Sequence, residues 1–184
     1  LEVRARPLRD PFHAAGEGEV LPATREAGAD GRIEAGGLAR VDREDVASRG
    51  LGISLRALEL SLEYAQQREA FGKPIAYHQL IQKKLADMAT RIEASKHLIL
   101  AAARKKDSGQ RADVEAGMAK LYATETCQRC AEEAMRIFGG YGYSTEYEVE
   151  RLYREAPMLL IGEGTADIQR MIIARRLLED YKIR

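Results

Sequence analysis

The stretch Leu160-Ile161-Gly162-Glu163-Gly164-Thr165-Ala166-Asp167-Ile168 joins an apolar strip, Met158 to Ile161, to a helical run that continues to Tyr181. Thr165 is a good helix N-cap and Asp167 brings negative charge to the first turn, while Ile168, Met171, Ile172 and Leu178 recur on one helical face. Glu163 has glycine on both sides, so no neighbouring side chain shields its carboxylate and the backbone can come close to a ligand. A carboxylate in apolar surroundings is a better base near neutral pH. The plainer reading is a turn glutamate leading into a capped helix, and a short motif alone does not displace it.

Upstream of this stretch the pattern is helical back to Val46. Leu51, Leu55, Leu58, Leu62 and Ala65 mark the face of a first helix, which Gly72 and Pro74 end. Ile81, Leu85, Met88, Ile92, Ser95, Ile99 and Ala102 mark a second, with Arg104, Lys105 and Lys106 near its C-terminus and Gly109 closing it. The third, capped by Asp113, runs through Met118, Leu121, Tyr122, Cys127, Ala131, Ala134 and Phe138 to the glycines at 139–142. Thr145-Glu146-Tyr147-Glu148 reads as a capping box opening a shorter helix that ends near Glu155, before Pro157. No segment after residue 46 reads as strand-rich. Long amphipathic helices with short loops give an all-α chain, an antiparallel, up-down-up-down four-helix bundle. Tyr147, Tyr153 and Tyr181 fall outside the main stripes and suggest a second buried surface, most simply a subunit interface.

Residues 1–40 differ. They hold three of the five prolines, six of the sixteen glycines and one aromatic, Phe12, without a sustained period, and are read as an irregular or disordered segment preceding a domain over 41–184. With 29 basic and 29 acidic residues the formal net charge is zero, which gives no electrostatic argument for nucleic acid or an anionic membrane. No apolar run approaches the roughly 20 residues that span a bilayer. Two cysteines and no secretory apolar region point to a reducing compartment: the bacterial cytoplasm, or the mitochondrial matrix in a eukaryote.

Few side chains form a chemical constellation. Cys127 and Cys130 share the core face of the third helix with no second pair or nearby histidine, which argues against zinc. His13, His78 and His97 are scattered and form no triad pattern. Gly139-Gly140-Tyr141-Gly142-Tyr143 is a helix C-cap with a turn, or a place where backbone lies against a flat or polar ligand. In Gln67-Arg68-Glu69-Ala70-Phe71-Gly72-Lys73-Pro74-Ile75, an arginine and an aromatic at a tight turn can hold a phosphate and stack on a ring. The alternative is an exposed arginine and a core phenylalanine.

Taken together, Arg68-x-x-Phe71-Gly72, Gln79, Leu85-Ala86-Asp87-Met88, Ile137-Phe138-Gly139-Gly140-x-Gly142, Tyr153-Arg154 and Glu163-Gly164-Thr165 resemble the C-terminal helical domain of acyl-CoA dehydrogenases. The order and spacing agree from Arg40 to the end. The resemblance implies an FAD-dependent oxidoreductase of lipid metabolism, as in β-oxidation, that converts an acyl-CoA to the trans-2-enoyl-CoA and passes electrons to an electron-transfer flavoprotein. It implies that Glu163 is the base for the α-proton and that Gly162 and Gly164 lie against substrate. By the same likeness Arg40, Val41, Asp42 and Arg43 form a substrate-contacting turn. Thr165, Ala166 and Asp167 would meet FAD, while Arg68, Phe71, Gln79 and the segment Arg136, Ile137, Phe138, Gly139 and Gly140 would reach the FAD of a neighbouring subunit. Self-association as a dimer or a tetramer follows from the same likeness.

The sequence departs from the family pattern at Arg136, where glutamine is frequent, and at Gly162, where tyrosine is frequent. The amino-terminal helical domain and middle β-domain of the family have no counterpart in these residues, so a separate N-terminal chain is a further expected partner. The alternative reading, from another class, is a non-catalytic bundle left by truncation of such an enzyme that serves assembly or partner binding.

Overall fold

A computed structural model describes residues 43–181 and Ile183. The candidate positions Arg40, Val41 and Asp42, and the expected irregular segment 1–40, lie outside the described residues. Five α-helices follow in order: α1 (Arg43–Gln67), α2 (Gln79–Asp107), α3 (Asp113–Phe138), α4 (Glu148–Ile161) and α5 (Ala166–Asp180). The fold is the expected all-α antiparallel bundle, and α3 is its axis, packing against α1, α2, α4 and α5. No helix among the described residues is long and apolar enough to cross a membrane.

The central position of α3 follows from its composition. Thirteen of its residues are buried, and most are small: Ala116, Gly117, Ala119, Ala123, Thr124, Cys127, Cys130, Ala131 and Ala134 among them. Small side chains on several faces let neighbouring helices come close on every side. Opposite this spine, α1 buries Ala47, Gly50, Ser54, Ala57, Leu58, Ser61 and Ala65. A Cβ at Gly50 would lie 3.2 Å from the Ala123 carbonyl oxygen, so glycine sets the approach of the two helices. Most of the buried hydroxyls are satisfied within their own helices; among the described residues Thr126 Oγ1 is buried without a partner. Ser54 donates to the Gly50 carbonyl at 2.7 Å, Ser61 to Ala57 at 2.6 Å and Thr124 to Lys120 at 2.9 Å.

This close approach splits the face expected for α1: Leu58 and Ala65 are buried and Leu51 packs against the core, but two of its leucines turn outward. Leu55 is 42% and Leu62 37% exposed, because the small-residue row faces α3 and rotates the leucines outward. The face expected for α2 is buried from Met88 through Ala102, whereas Met118, Leu121 and Tyr122 of α3 are only half-buried. On α5 the expected apolar face is largely exposed, at Ile168, Met171 and Leu178, and Gln169 is the buried residue. Cys127 and Cys130 are free and fully buried, and burial first of all pushes both thiols up to about 12. No group of three or more metal-ligating side chains occurs among the described residues.

Helix ends differ from expectation in three places. Asp113 lies in the first turn of α3 and pairs with Arg111, while Ala112 is the N-cap. Tyr147, without a capping side chain, precedes α4, so Thr145 does not open it. Pro157 sits inside α4, which runs on to Ile161. An interior proline costs about 3 kcal/mol, but Val149 and Leu152 before it and Leu159 after it are anchored in the core, and the helix continues. A two-residue antiparallel pairing, β1 (Glu69–Ala70) with β2 (Lys73–Pro74), adds a hairpin that no periodicity announced.

The start of α4 is tied to α1 by Arg56, which donates to Glu148 at 2.9 Å. The hydrogen bond from Arg56, above all, holds the Glu148 carboxyl below its ordinary value of 4.5. A folded-state value below the unfolded one means that the pair's stabilisation is present above about pH 4.5 and is lost as pH falls through the folded value. Glu148→Gln is therefore expected to lower stability by about 1 kcal/mol at neutral pH. By urea unfolding, the gap between wild type and variant should narrow as pH falls below about 4.5 and close once Glu148 is protonated in the folded state as well.

Candidate functional site

Two clusters of candidate residues form, at opposite ends of α3. The first surrounds the hairpin between α1 and α2. Ala70 and Lys73 pair across Phe71 and Gly72, whose φ values are +54° and +78°. Positive φ at both central residues is the two-residue hairpin turn that matches strand twist, and such turns favour glycine, asparagine and aspartate. Phe71 is none of these and is 95% exposed, so the alternative reading of a core phenylalanine is excluded; its ring stands in solvent, edge-on to His78 at 5.9 Å between ring centres. His78 Nε2 hydrogen-bonds with the Ala70 carbonyl at 3.0 Å and steadies the turn.

Beside the hairpin lies a cleft of about 1160 Å³ whose lining includes Arg68, Phe71, Gln79, Ile137, Phe138, Gly139 and Gly140. Thus every proposed contact in this region except Arg136 comes together in one place. Arg136 is exposed and pairs with Glu132 one turn back. Tyr64, which no motif marks, and Tyr141 of the glycine-rich stretch line the same cleft. Tyr64 stacks on Phe138 with centroids 4.1 Å apart, and the Arg68 guanidinium lies 5.8 Å from the centre of the Tyr141 ring. The signal for Tyr64 was its place one turn before Arg68.

The glycines at the C-terminal end of α3 do different work. Gly139 has φ +61° and ends α3. A Cβ at Gly142 would meet the Met135 carbonyl oxygen at 2.9 Å. Gly140 has neither constraint: φ is not positive and nothing lies within 4 Å of a built Cβ. The fold requires glycine at 142 and leaves 140 free. Gly142→Ala should thus cost about 1–3 kcal/mol in thermal unfolding, and Gly140→Ala should lie within about 0.5 kcal/mol of wild type.

The second cluster is the turn from α4 to α5. Gly162, the C-cap of α4, has φ −62° and needs no glycine for its backbone. Glu163 follows at φ +53° and Gly164 at φ +90°. Thr165 then caps α5, its Oγ1 accepting from the Ile168 N–H at 3.3 Å, as its residue type foretold. Glu163 is exposed, so the apolar surroundings that sharpen a base are not supplied by the described residues of this chain. Thr165 and Asp167 are exposed and Ala166 is half-buried at the same helix end. Beneath the turn, buried Lys120 donates its Nζ hydrogen bond to the Gly164 carbonyl, and Gln169 Nε2 donates to Glu163 and Gly164 at 3.4 and 3.3 Å. Arg43 is near enough for its charge to act on Lys120.

Among the described residues, Phe71 and Glu163 are the non-glycine residues with positive φ. Such backbone costs roughly 1–3 kcal/mol per residue and persists where the surroundings enforce it, most often at functional sites. Both are residues that sequence reasoning singled out. The clusters are far apart, because the eighteen residues from Lys120 to Phe138 span about 27 Å of helix.

The family model for the acyl-CoA dehydrogenase C-terminal domain matches residues 35–178. The chain belongs to this family. It is 49% identical over 138 residues to an acyl-CoA dehydrogenase of Bacillus subtilis, covering 75% of this chain and 36% of that one. It is 45% identical over 139 residues to the caffeyl-CoA reductase-Etf complex subunit CarC of Acetobacterium woodii, covering 76% and 37%. The solved butyryl-CoA dehydrogenase of Megasphaera elsdenii superposes with a TM-score of 0.73 at 46% identity over 74% of this chain and 36% of that one. The chain therefore spans little more than a third of the length of these relatives, and the family is one of FAD-dependent dehydrogenases.

Proposed function

We propose that this chain supplies the base and part of the cofactor site of an enzyme that oxidises an acyl-CoA thioester to its trans-2-enoyl form. The observation that carries the reading is the Glu163 turn: a carboxylate in left-handed backbone, between glycines, at the mouth of a capped helix. In this reading a Glu163 carboxylate oxygen takes the α-proton of the thioester. Gly162 and Gly164 give the acyl chain room beside it, and Arg43, whose charge reaches Lys120 beneath the turn, contributes to the same substrate site. Gly162 stands where a bulky aromatic is frequent, which favours a branched or broad acyl group. Filling or emptying such a space changes selectivity by about 1–3 kcal/mol.

The hairpin cleft suits FAD. It offers a cation for phosphate at Arg68, an exposed flat ring at Phe71, an amide at Gln79 and a glycine at 140 that the fold does not require. At the other end, Thr165, Ala166 and Asp167 begin a helix whose N-terminus favours phosphate or ribose oxygens. When bound, FAD supplies the two-electron acceptor for the β-hydrogen, which leaves as hydride as the double bond forms. Because the clusters are about 27 Å apart along α3, the hairpin residues of one copy serve the flavin beside another copy's Glu163. Exposed Leu55, Leu62, Met171 and Leu178 provide apolar surface for that self-association. An electron-transfer flavoprotein fits as the acceptor of the electrons.

A chimera tests the base directly. Residues 35–178 replace the matching segment of the Megasphaera elsdenii enzyme, and wash-in of solvent deuterium at the substrate α-carbon is followed. Glu163→Gln should lower the exchange rate by about 10²–10⁴-fold with flavin content unchanged. An unaltered rate would assign the base elsewhere.

A further inference from the structure

Lys120 is fully buried on the small-residue spine of α3, where Ala116, Ala119 and Ala123 are its neighbours in sequence. Burial pushes its ammonium down from the ordinary lysine range, while the Glu163 carboxylate acts in the opposite direction. A lysine in such a place needs a reason, because a charged group loses its hydration there. Its hydrogen bond goes to the Gly164 carbonyl, one residue past Glu163. Gln169, 1% exposed, is the other buried side chain that donates to this turn, and its Nε2 reaches the Glu163 carbonyl at 3.4 Å and the Gly164 carbonyl at 3.3 Å.

The amide of Gln169 is arranged for this task at a cost. Its Oε1 is buried and has no hydrogen-bond partner among the described residues. An apolar side chain would avoid that orphaned acceptor but would offer no donor to the turn. Gln169 Nε2 also occupies the place of a Cβ at 164, only 2.7 Å from the built position, which with φ +90° explains why the residue after Glu163 is glycine. Two helices, α3 and α5, thus each place a buried donor under one pair of carbonyls.

We propose that Lys120 and Gln169 are positioning residues: by holding the carbonyls of Glu163 and Gly164 they lock the left-handed turn and fix where the Glu163 carboxylate points. The consequence for catalysis rests on Glu163 being the base; the locking of the turn does not. Released from either donor, Glu163 relaxes toward ordinary backbone and its carboxylate samples a wider space. A displacement of about 1 Å in a reacting group is enough to lower a rate by about 10²-fold.

The test has two arms. In the 184-residue chain, hydrogen exchange is compared for wild type, Lys120→Met and Gln169→Met. Both substitutions keep side-chain length and remove the donor. Amides at 163–168 should exchange at least about tenfold faster while α2 keeps its protection. Unchanged exchange at the turn, or an equal loss of protection throughout α2 and α3, would overturn the proposal. In the flavin-loaded chimera, each variant should lower the rate of α-proton removal by about 10–100-fold with KM changed by less than about threefold, and should add little to Glu163→Gln. Loss through KM alone, or full additivity with Glu163→Gln, would also overturn it. The first arm uses no substrate, so a failure of the base assignment, seen as full activity in Glu163→Gln, is distinct from a failure of the lock.

Discussion

The close contact between α1 and α3 is the constraint on which the rest of this structure depends. With Gly50 against the Ala123 carbonyl, and Ala47, Ser54, Ala57 and Ser61 along the same row, helix axes approach more closely than leucine-lined faces allow. The spine of α3 is then surrounded, and α2, α4 and α5 pack on its remaining faces. The geometry of both candidate clusters follows from this one helix. Its C-terminus, at Phe138 and Gly139, forms the floor of the hairpin cleft, and its N-terminal half carries Lys120 beneath the Glu163 turn.

The same packing explains why apolar side chains are exposed. Leu55 and Leu62 on α1, and Met171 and Leu178 on α5, have the periodicity of a core face but lie outside this bundle. Small residues inside and large apolar residues outside are the pattern of a helix that packs twice, once within its own domain and once against another surface. Strain is concentrated where chemistry is proposed. Phe71 is displayed to solvent by its turn, and Glu163 stands on a left-handed backbone braced from below.

Much of this was legible in the sequence because helices announce themselves by period and glycines mark their ends. Gly109 and Gly139 close their helices with positive φ, and Thr165 caps α5. The acyl-CoA dehydrogenase resemblance placed the hairpin and glycine-loop residues in one group, and all but Arg136 line one cleft. What failed had physical causes. Two helical rows competed on α1, and side-chain size rather than hydrophobicity decided which one faced α3. In the sequence Pro157 marks a stop, but tertiary anchoring on both sides carries α4 through it. Lys120 gives no functional signal in the sequence because lysines usually lie on the surface. Its position four residues after Ala116 and three before Ala123, on the buried face, was the available sign of its burial.

The central claim is that this domain presents a base to an acyl-CoA beside a flavin. Anaerobic mixing of the FAD-loaded chimera with a saturated acyl-CoA tests it most directly, because the oxidised flavin's visible band reports electron arrival. The account predicts rapid bleaching of that band with formation of the 2-enoyl thioester. A band that stays unbleached while the acyl-CoA is demonstrably bound would contradict it.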